Sequence, residues 1–310
     1  MLITSHIRAD GDSLGAMTAA YEFLNERGIE AAMRYDGEIP QSYRFLAHIE
    51  KINEARAFSP AAALVLDSPT LDRVGKAAEA IAPNTPVINI DHHPDNSFFG
   101  ALNLVREDAS SSCEVLYDVF RACGGPLNVR TAVSLYTGVL TDTGRFSHPN
   151  ATARAFAVCA ELGSTGIDFA EVSSQVYKSL PVNVFRLQAK AMQRLRLALD
   201  GRVACITVPR EVFVETGTQP IDTQDFADIP RLIRGVEVGV FIREESEQND
   251  IKVSLRSRPG IDIRAVARKF GGGGHRQAAG CSLRCELSQA EELVLTAVVE
   301  HLKKETAARS

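Results

Sequence analysis

The sequence predicts an α/β protein: an N-terminal, doubly wound, mostly parallel sheet followed by a smaller C-terminal α/β domain. Three observations carry this. Short apolar, β-branched runs alternate with helical stretches over the first hundred residues, the pattern of a parallel sheet covered by helices on both faces. Several of these runs end in acidic or imidazole residues, and ligands of open α/β sheets bind at that end of the strands. From Gly201 the pattern changes to a separate set of strands and one long final helix. At 310 residues the chain is long enough for two hydrophobic cores.

Leu2 to Ile7 reads as the first strand, and Leu14, Met17, Tyr21 and Leu24 mark a helix that ends at Gly28. Glu30–Arg34 and Ala61–Leu66 are the next strands, and Leu71–Ala82 is a helix. Pro86–Ile90 is a strand that delivers Asp91-His92-His93. Ser110–Ala122 and Val129–Leu140 are helical, with Asn128 as N-cap of the second. Asn150 is placed to cap the next helix, which ends near Gly163. Ser173–Leu180 and Val182–Leu199 continue as helix, interrupted at Pro181.

Arg202–Val208, Val236–Arg243 and Ile251–Arg256 are strands, and Ile261–Phe270 is a helix that stops at four glycines. Ser288 and Glu291 suit a capping box for the last helix. The expected division is a first domain over 1–180, a helical connector over 181–199 and a second domain over 200–310.

A net charge of −5 argues against a protein that coats nucleic acid, though not against a local basic groove. The chain has neither a leader-type apolar segment nor a run of membrane-spanning length, which predicts a cytoplasmic protein with no membrane partner. The six cysteines are scattered without zinc-site spacing and read as reduced.

Metal-type residues gather at four strand ends or loops: His6 with Asp10 and Asp12, then Asp67, then Asp91-His92-His93, then Asp142. Imidazole nitrogen and carboxylate oxygen are good ligands for first-row divalent metals. Five carboxylates brought to one sheet edge repel, and divalent cations relieve that repulsion. Taken singly, Asp10-Gly11-Asp12 is also ordinary turn chemistry. Five of the seven histidines (His6, His92, His93, His148, His275) fall in or beside Gly- or Asp-rich loops, while His48 and His301 read as surface residues.

The second half carries a local basic excess. Between Lys252 and Arg276 lie seven basic residues against one acid, Asp262. Lys252, Ser254 and Arg256 share one face of a strand, and a guanidinium there matches a phosphate bidentately. Gly271–Gly274 allows close backbone approach to a ligand and an anion-binding nest of N–H groups, with His275 next.

Taken together, His6-x-x-x-Asp10-Gly11-Asp12-x-x-Gly15, Leu66-Asp67-Ser68, Asp91-His92-His93 and Thr141-Asp142-Thr143-Gly144-x-Phe146 resemble the four ordered motifs of the DHH phosphoesterase superfamily. Gly271-Gly272-Gly273-Gly274-His275-x-x-Ala278-Ala279-Gly280 resembles the signature of its C-terminal DHHA1 domain. Ala9 stands where many members have proline. The resemblance implies two manganese ions, with magnesium or cobalt as substitutes. His6, Asp10 and Asp67 would hold one ion; Asp12, Asp67, His92 and Asp142 would hold the other, with Asp67 bridging. It further implies that Asp91 orients His92 and that His93 faces the substrate phosphate. Arg256, Ser254, Gly272, Gly273, Gly274 and His275 would bind the nucleotide in a cleft between the domains, and Arg256, His275 and His93 would stabilise charge on the phosphoryl oxygens.

Size and layout resemble the compact bacterial group that degrades short oligoribonucleotides and removes the 3′-phosphate of 3′-phosphoadenosine 5′-phosphate (pAp). The implied reaction is phosphoester hydrolysis by water activated between two ions. Substrates would be short RNA or a dinucleotide, and pAp. Alternatives are a phosphodiesterase for linear or cyclic dinucleotides, of the pApA or c-di-AMP type, and a non-catalytic nucleotide- or RNA-binding protein. The absence of a further oligonucleotide-binding module argues against a RecJ-type exonuclease. The glycine–histidine signature argues against a family II pyrophosphatase. The apolar helices between residues 110 and 180 offer a homodimer surface or simply cover the sheet.

Overall fold

The computed structural model describes residues 1–54, 59–124, 126–178, 180–245 and 249–307, leaving aside the side chains of 224, 225, 306 and 307. The chain divides into two compact units, 1–179 and 180–310. No described helix is long and apolar enough to cross a membrane.

The first unit runs β1 (Leu2–Ser5), α1 (Gly11–Glu26), β2 (Ala32–Met33), β3 (Ala63–Leu66), β4 (Val87–Asp91), β5 (Leu102–Val105), α2 (Ser112–Ala122), α3 (Val129–Asp142), α4 (Ala153–Gly163) and α5 (Phe169–Tyr177). The five strands are parallel, in the order β2-β1-β3-β4-β5. This order reverses direction between β1 and β3, and the crevice beyond such a switch point is where these sheets bind ligands. β1 and β3 are buried on both faces, so they read as continuous apolar runs rather than alternating ones. Along β3, Leu64 and Leu66 join the core under α1, α2 and α3, while Val65 faces the opposite side with Val74 and Ala77.

Two glycines let α1 and α3 pack closely. A Cβ on Gly15 would stand 2.4 Å from Ser134 O, and one on Gly138 would stand 2.3 Å from Cys113 Sγ. Either residue with a side chain would push the helices apart, and with them the first turn of α1, which carries Asp12.

The second unit runs α6 (Val182–Gln193), β6 (Leu195–Ala198), β7 (Val203–Val208), α7 (Arg210–Thr216), β8 (Val238–Glu244), β9 (Asp250–Ser257), α8 (Arg264–Lys269), β10 (Gly273–Gly274), β11 (Ala278–Arg284) and α9 (Leu287–Ala307). Its mixed sheet has the order β10-β11-β9-β8-β7-β6, with β7 and β8 parallel and the other pairs antiparallel. One face packs on α8 and α9 through residues such as Val240, Val253, Leu255, Val294 and Val298. The other packs on α6 and α7 through Ile206, Val208, Phe241, Leu187 and Phe213.

Several expectations are corrected. Val182–Leu199 is not one helix; it ends at Gln193, and residues 195–198 pair with β7. Leu71–Ala80 is a 3-10 stretch broken at Gly75, whose φ of 65° is non-helical. α8 covers only the last part of Ile261–Phe270. Ser288 lies inside α9 rather than capping it, and Glu291 instead accepts from Thr207 Oγ1 at 3.0 Å. Asn150 does not cap α4; Thr152 does, accepting from Ala155 N–H. His48 and His301 are partly buried rather than surface residues, with His48 2.5 Å from Glu22 Oε2. Strands β5, β6, β10 and β11 and helix α7 were not anticipated. All six cysteines are free thiols.

Candidate active site

β1, β3 and β4 deliver their terminal side chains to one edge. His6 follows β1 and is 6 % exposed; its Nδ1 lies 2.7 Å from Ile7 O. That contact directs Nε2 towards Asp67 Oδ2 at 3.3 Å. Asp10 is the N-cap of α1 and accepts from the N–H groups of Asp12 (3.1 Å) and Ser13 (3.0 Å). Asp12 sits in the first turn of α1, 1 % exposed. It also meets the start of α2: Ser112 N–H donates to Oδ2 at 2.7 Å and Cys113 N–H to Oδ1 at 2.9 Å. These are N–H groups of a helix first turn, which lack intrahelical acceptors and favour an anion.

Asp67 directly follows β3 and has a left-handed backbone, φ 52°, a conformation uncommon outside glycine and one that recurs at functional sites. It is 2 % exposed. Ser13 Oγ donates to its Oδ2 at 2.9 Å and Ser112 Oγ to its Oδ1 at 3.0 Å. His92 Nε2 lies 3.7 Å from Asp67 Oδ1, 3.9 Å from Asp12 Oδ2 and 3.7 Å from Asp142 Oδ2. The structure thus brings together all six residues expected to hold ions.

Asp91 departs from expectation. Its Oδ1 is 2.8 Å from Nδ1 of His93, so it orients His93 rather than His92. Its Oδ2 accepts from Asn96 Nδ2 at 2.6 Å. Asp142, the last residue of α3, is held by Asn150, whose Nδ2 lies 3.1 Å from Asp142 Oδ2 and 2.8 Å from Ser110 O. Sequence reasoning missed Ser13 and Asn96 and misassigned Asn150. A polar residue one position beyond an expected ligand, as Ser13 is beyond Asp12, was the available signal.

Electrostatics follow from burial. Burial, then the charge of Asp67, pushes Asp12 well above the usual carboxylate range. Burial would raise Asp67 too, but the His6 hydrogen bond and the imidazoles of His93, His6 and His92 hold it far below that range. Burial pulls His93 down, yet the Asp91 hydrogen bond and the charges of Asp67 and Asp91 win, and its pKa is pushed up to about 9. Burial and Asp12 push the Cys113 thiol well up, which leaves it a packing residue rather than a nucleophile.

The donor set fits two divalent cations. The ligand atoms of His6, Asp10 and Asp67 lie within 4.8 Å of one another, and so do those of Asp12, Asp67 and His92. Two bonds of about 2.1 Å across one ion span roughly 4 Å, close to that spread. Among the described residues no lysine or arginine pairs with Asp12 or Asp67. Ser13 Oγ lies 2.6 Å from His6 Nε2, 3.1 Å from Asp10 Oδ1 and 2.9 Å from Asp67 Oδ2. One hydroxyl proton cannot satisfy two carboxylates, whereas a cation bound between them can.

In the second unit, Lys252, Ser254 and Arg256 do share one half-buried face of β9, as its strict alternation of burial shows. Arg256 Nε lies 3.5 Å from Asp228 Oδ2. The glycines serve a purpose not foreseen. A Cβ on Gly272 would meet Gly280 O at 2.1 Å, so its missing side chain is filled by β11 of the same chain. Gly273 and Gly274 pair with Gly280 and Ala279, and His275 N–H donates to Ala278 O at 2.8 Å, closing the turn.

Fold and site define a class: open α/β proteins with an acidic, histidine-lined candidate cation site at the switch point of a parallel sheet. Within that class the chain belongs to the DHH family: residues 1–139 match the DHH family, N-terminal domain, and residues 201–304 match the DHHA1 domain. It is 34% identical to the bifunctional oligoribonuclease and PAP phosphatase NrnA of Thermus thermophilus, over 97% of this chain and 90% of that protein. The protein of the same name from Bacillus subtilis is 28% identical over 91% of this chain and 89% of its own length. An exopolyphosphatase-related protein from Bacteroides fragilis has the same fold, with a TM-score of 0.89 and 24% identity over 100% of this chain and 93% of that one.

Proposed function

We propose that the chain is a two-metal phosphoesterase of the cytoplasm that hydrolyses short oligoribonucleotides and dinucleotides and removes the 3′-phosphate of pAp. The observation that carries this reading is the pair of ligand sets that share Asp67. The names of the Thermus and Bacillus relatives support it. His6, Asp10 and Asp67 hold one manganese or magnesium ion; Asp12, Asp67, His92 and Asp142 hold the other. When bound, such a pair lowers the pKa of water and offsets charge on attacking and leaving oxygens.

The chain's own groups do the rest. Asp91 accepts from His93 Nδ1–H and favours the imidazolium form, whose Nε2–H is offered to a phosphoryl or leaving oxygen. Asn150 fixes Asp142, and Ser112 fixes Asp12 and Asp67 together. Arg256, Ser254, His275 and the Gly272–Gly274 segment bind the nucleotide, the guanidinium on a phosphate.

The test is release of AMP from pApA and of phosphate from pAp by metal-free protein, before and after manganese is added. The reading expects both products only with metal. Binding of these nucleotides without turnover, under any metal, would replace it with the non-catalytic alternative.

A further inference from the structure

Arg231 was no part of the expected site, yet the ladder places it beside Arg256. Gly239 of β8 pairs directly with Arg256 of β9, so the two share a face of the sheet. A Cβ on Gly239 would stand 3.0 Å from Arg231 Cγ and 3.1 Å from Pro230 Cβ. The stem of Arg231 therefore lies over the gap that Gly239 leaves, next to Arg256. Its Nη1 donates to Ser257 O at 2.6 Å, one residue beyond Arg256. Its Nε is buried and meets no acceptor among the described residues.

Asp228 lies on the same 3-10 stretch, Pro220–Leu232, as Arg231. It is 3.5 Å from Arg256 Nε and half exposed. Burial lowers the pKa of Arg231, Asp228 opposes that, and Arg258 and Arg256 add to it, so the guanidiniums feel one another. Two arginines side by side, one of them on a solvent-facing carboxylate, form a place for a dianion. A tether to Ser257 alone does not need the second guanidinium.

We infer that Arg231 and Arg256 form a two-guanidinium site for a nucleotide phosphate, and that Asp228 sits against Arg256 as an internal competitor which the phosphate displaces. The inference rests on the phosphoesterase reading for its substrate class. It adds a second arginine and a residue that weakens binding.

Calorimetric titration of pAp into the full chain in EDTA, where nothing turns over, tests it, with adenosine as the phosphate-free control. Arg231→Gln weakens pAp binding by about 10- to 100-fold, the range for a lost hydrogen bond to a charged group, and leaves adenosine unaffected. Asp228→Asn moves the opposite way, tightening pAp by about 2- to 5-fold, since an exposed ion pair is weak. Asp228 is half exposed, so this variant reads out even if Arg231→Gln does not fold. Unchanged or weaker pAp binding in Asp228→Asn overturns the inference. So does wild-type affinity in Arg231→Gln, or a wild-type chain that binds no pAp. A wild type that binds pAp as described but hydrolyses neither pAp nor pApA with manganese sinks the phosphoesterase reading and leaves the anion site standing.

Discussion

The switch-point edge of the first sheet and the β9 face of the second are built in opposite ways. At the first, Asp12, Asp67, Asp91 and His92 are each 5 % exposed or less, and every one of those carboxylates accepts two or more hydrogen bonds from named partners. At the second, Lys252, Ser254 and Arg256 stand half-buried, and the ion pair of Arg256 is long and solvent-facing. A buried, over-determined cluster suits groups that must hold metal ions to within fractions of an ångström. An open basic row suits a ligand that comes and goes. Substitutions at the first region should therefore cost catalysis outright, and those at the second should cost affinity.

The largest expected effect is Asp67→Asn, which removes the carboxylate common to both ligand sets. Hydrolysis of pApA should fall by about a thousandfold or more. Steady-state rates at saturating manganese check this, and near-normal turnover would take Asp67 out of the site. Next is Asn150→Ala. Loss of the bonds to Asp142 and to Ser110 O should reduce metal affinity and rate by about 10- to 100-fold, the usual result when an outer partner of a ligand is removed. Rescue by excess manganese separates this positioning role from a general loss of fold.

Gly138→Ala sharpens the contrast from the packing side. The added Cβ would stand 2.6 Å from Asp12 Oδ1 and 2.3 Å from Cys113 Sγ. It should destabilise the first unit by about 1–3 kcal/mol, as overpacking does, and lower metal affinity with it. Chemical denaturation alongside metal titration would reveal the two effects together. The smallest effect on turnover is expected at the open face. Arg256→Ala should raise KM for pAp by about tenfold and leave kcat nearly unchanged, the signature of lost uniform binding. A fall in kcat with constant KM would move Arg256 into the chemistry.

The two regions also differed in how much of them the sequence disclosed. The first sheet and its six candidate ligands were legible because buried parallel strands read as unbroken apolar runs that stop at a charged residue. What escaped was contact between neighbours: nothing in Asp91-His92-His93 says which imidazole the carboxylate takes. Asn150 looked like a cap because asparagine often is one, but its amide is spent on Asp142 and Ser110. In the second unit, the Leu, Arg and Ala of Leu195–Ala198 favour helix by themselves. Pairing with β7 overrides that preference. The signal was present in Asp200-Gly201, a hairpin dipeptide, where Leu199, Asp200 and Gly201 all adopt positive φ. β5 was missed because it is a short edge strand with Leu102 and Leu104 exposed.

The central claim is that one buried carboxylate serves two ions. Titration of manganese into metal-free protein tests it most directly, on the wild type and on Asp67→Asn. The account predicts two ions per wild-type chain and loss or severe weakening of both in the variant. Two ions bound with unchanged affinity by Asp67→Asn, or a single ion in the wild type, would contradict it.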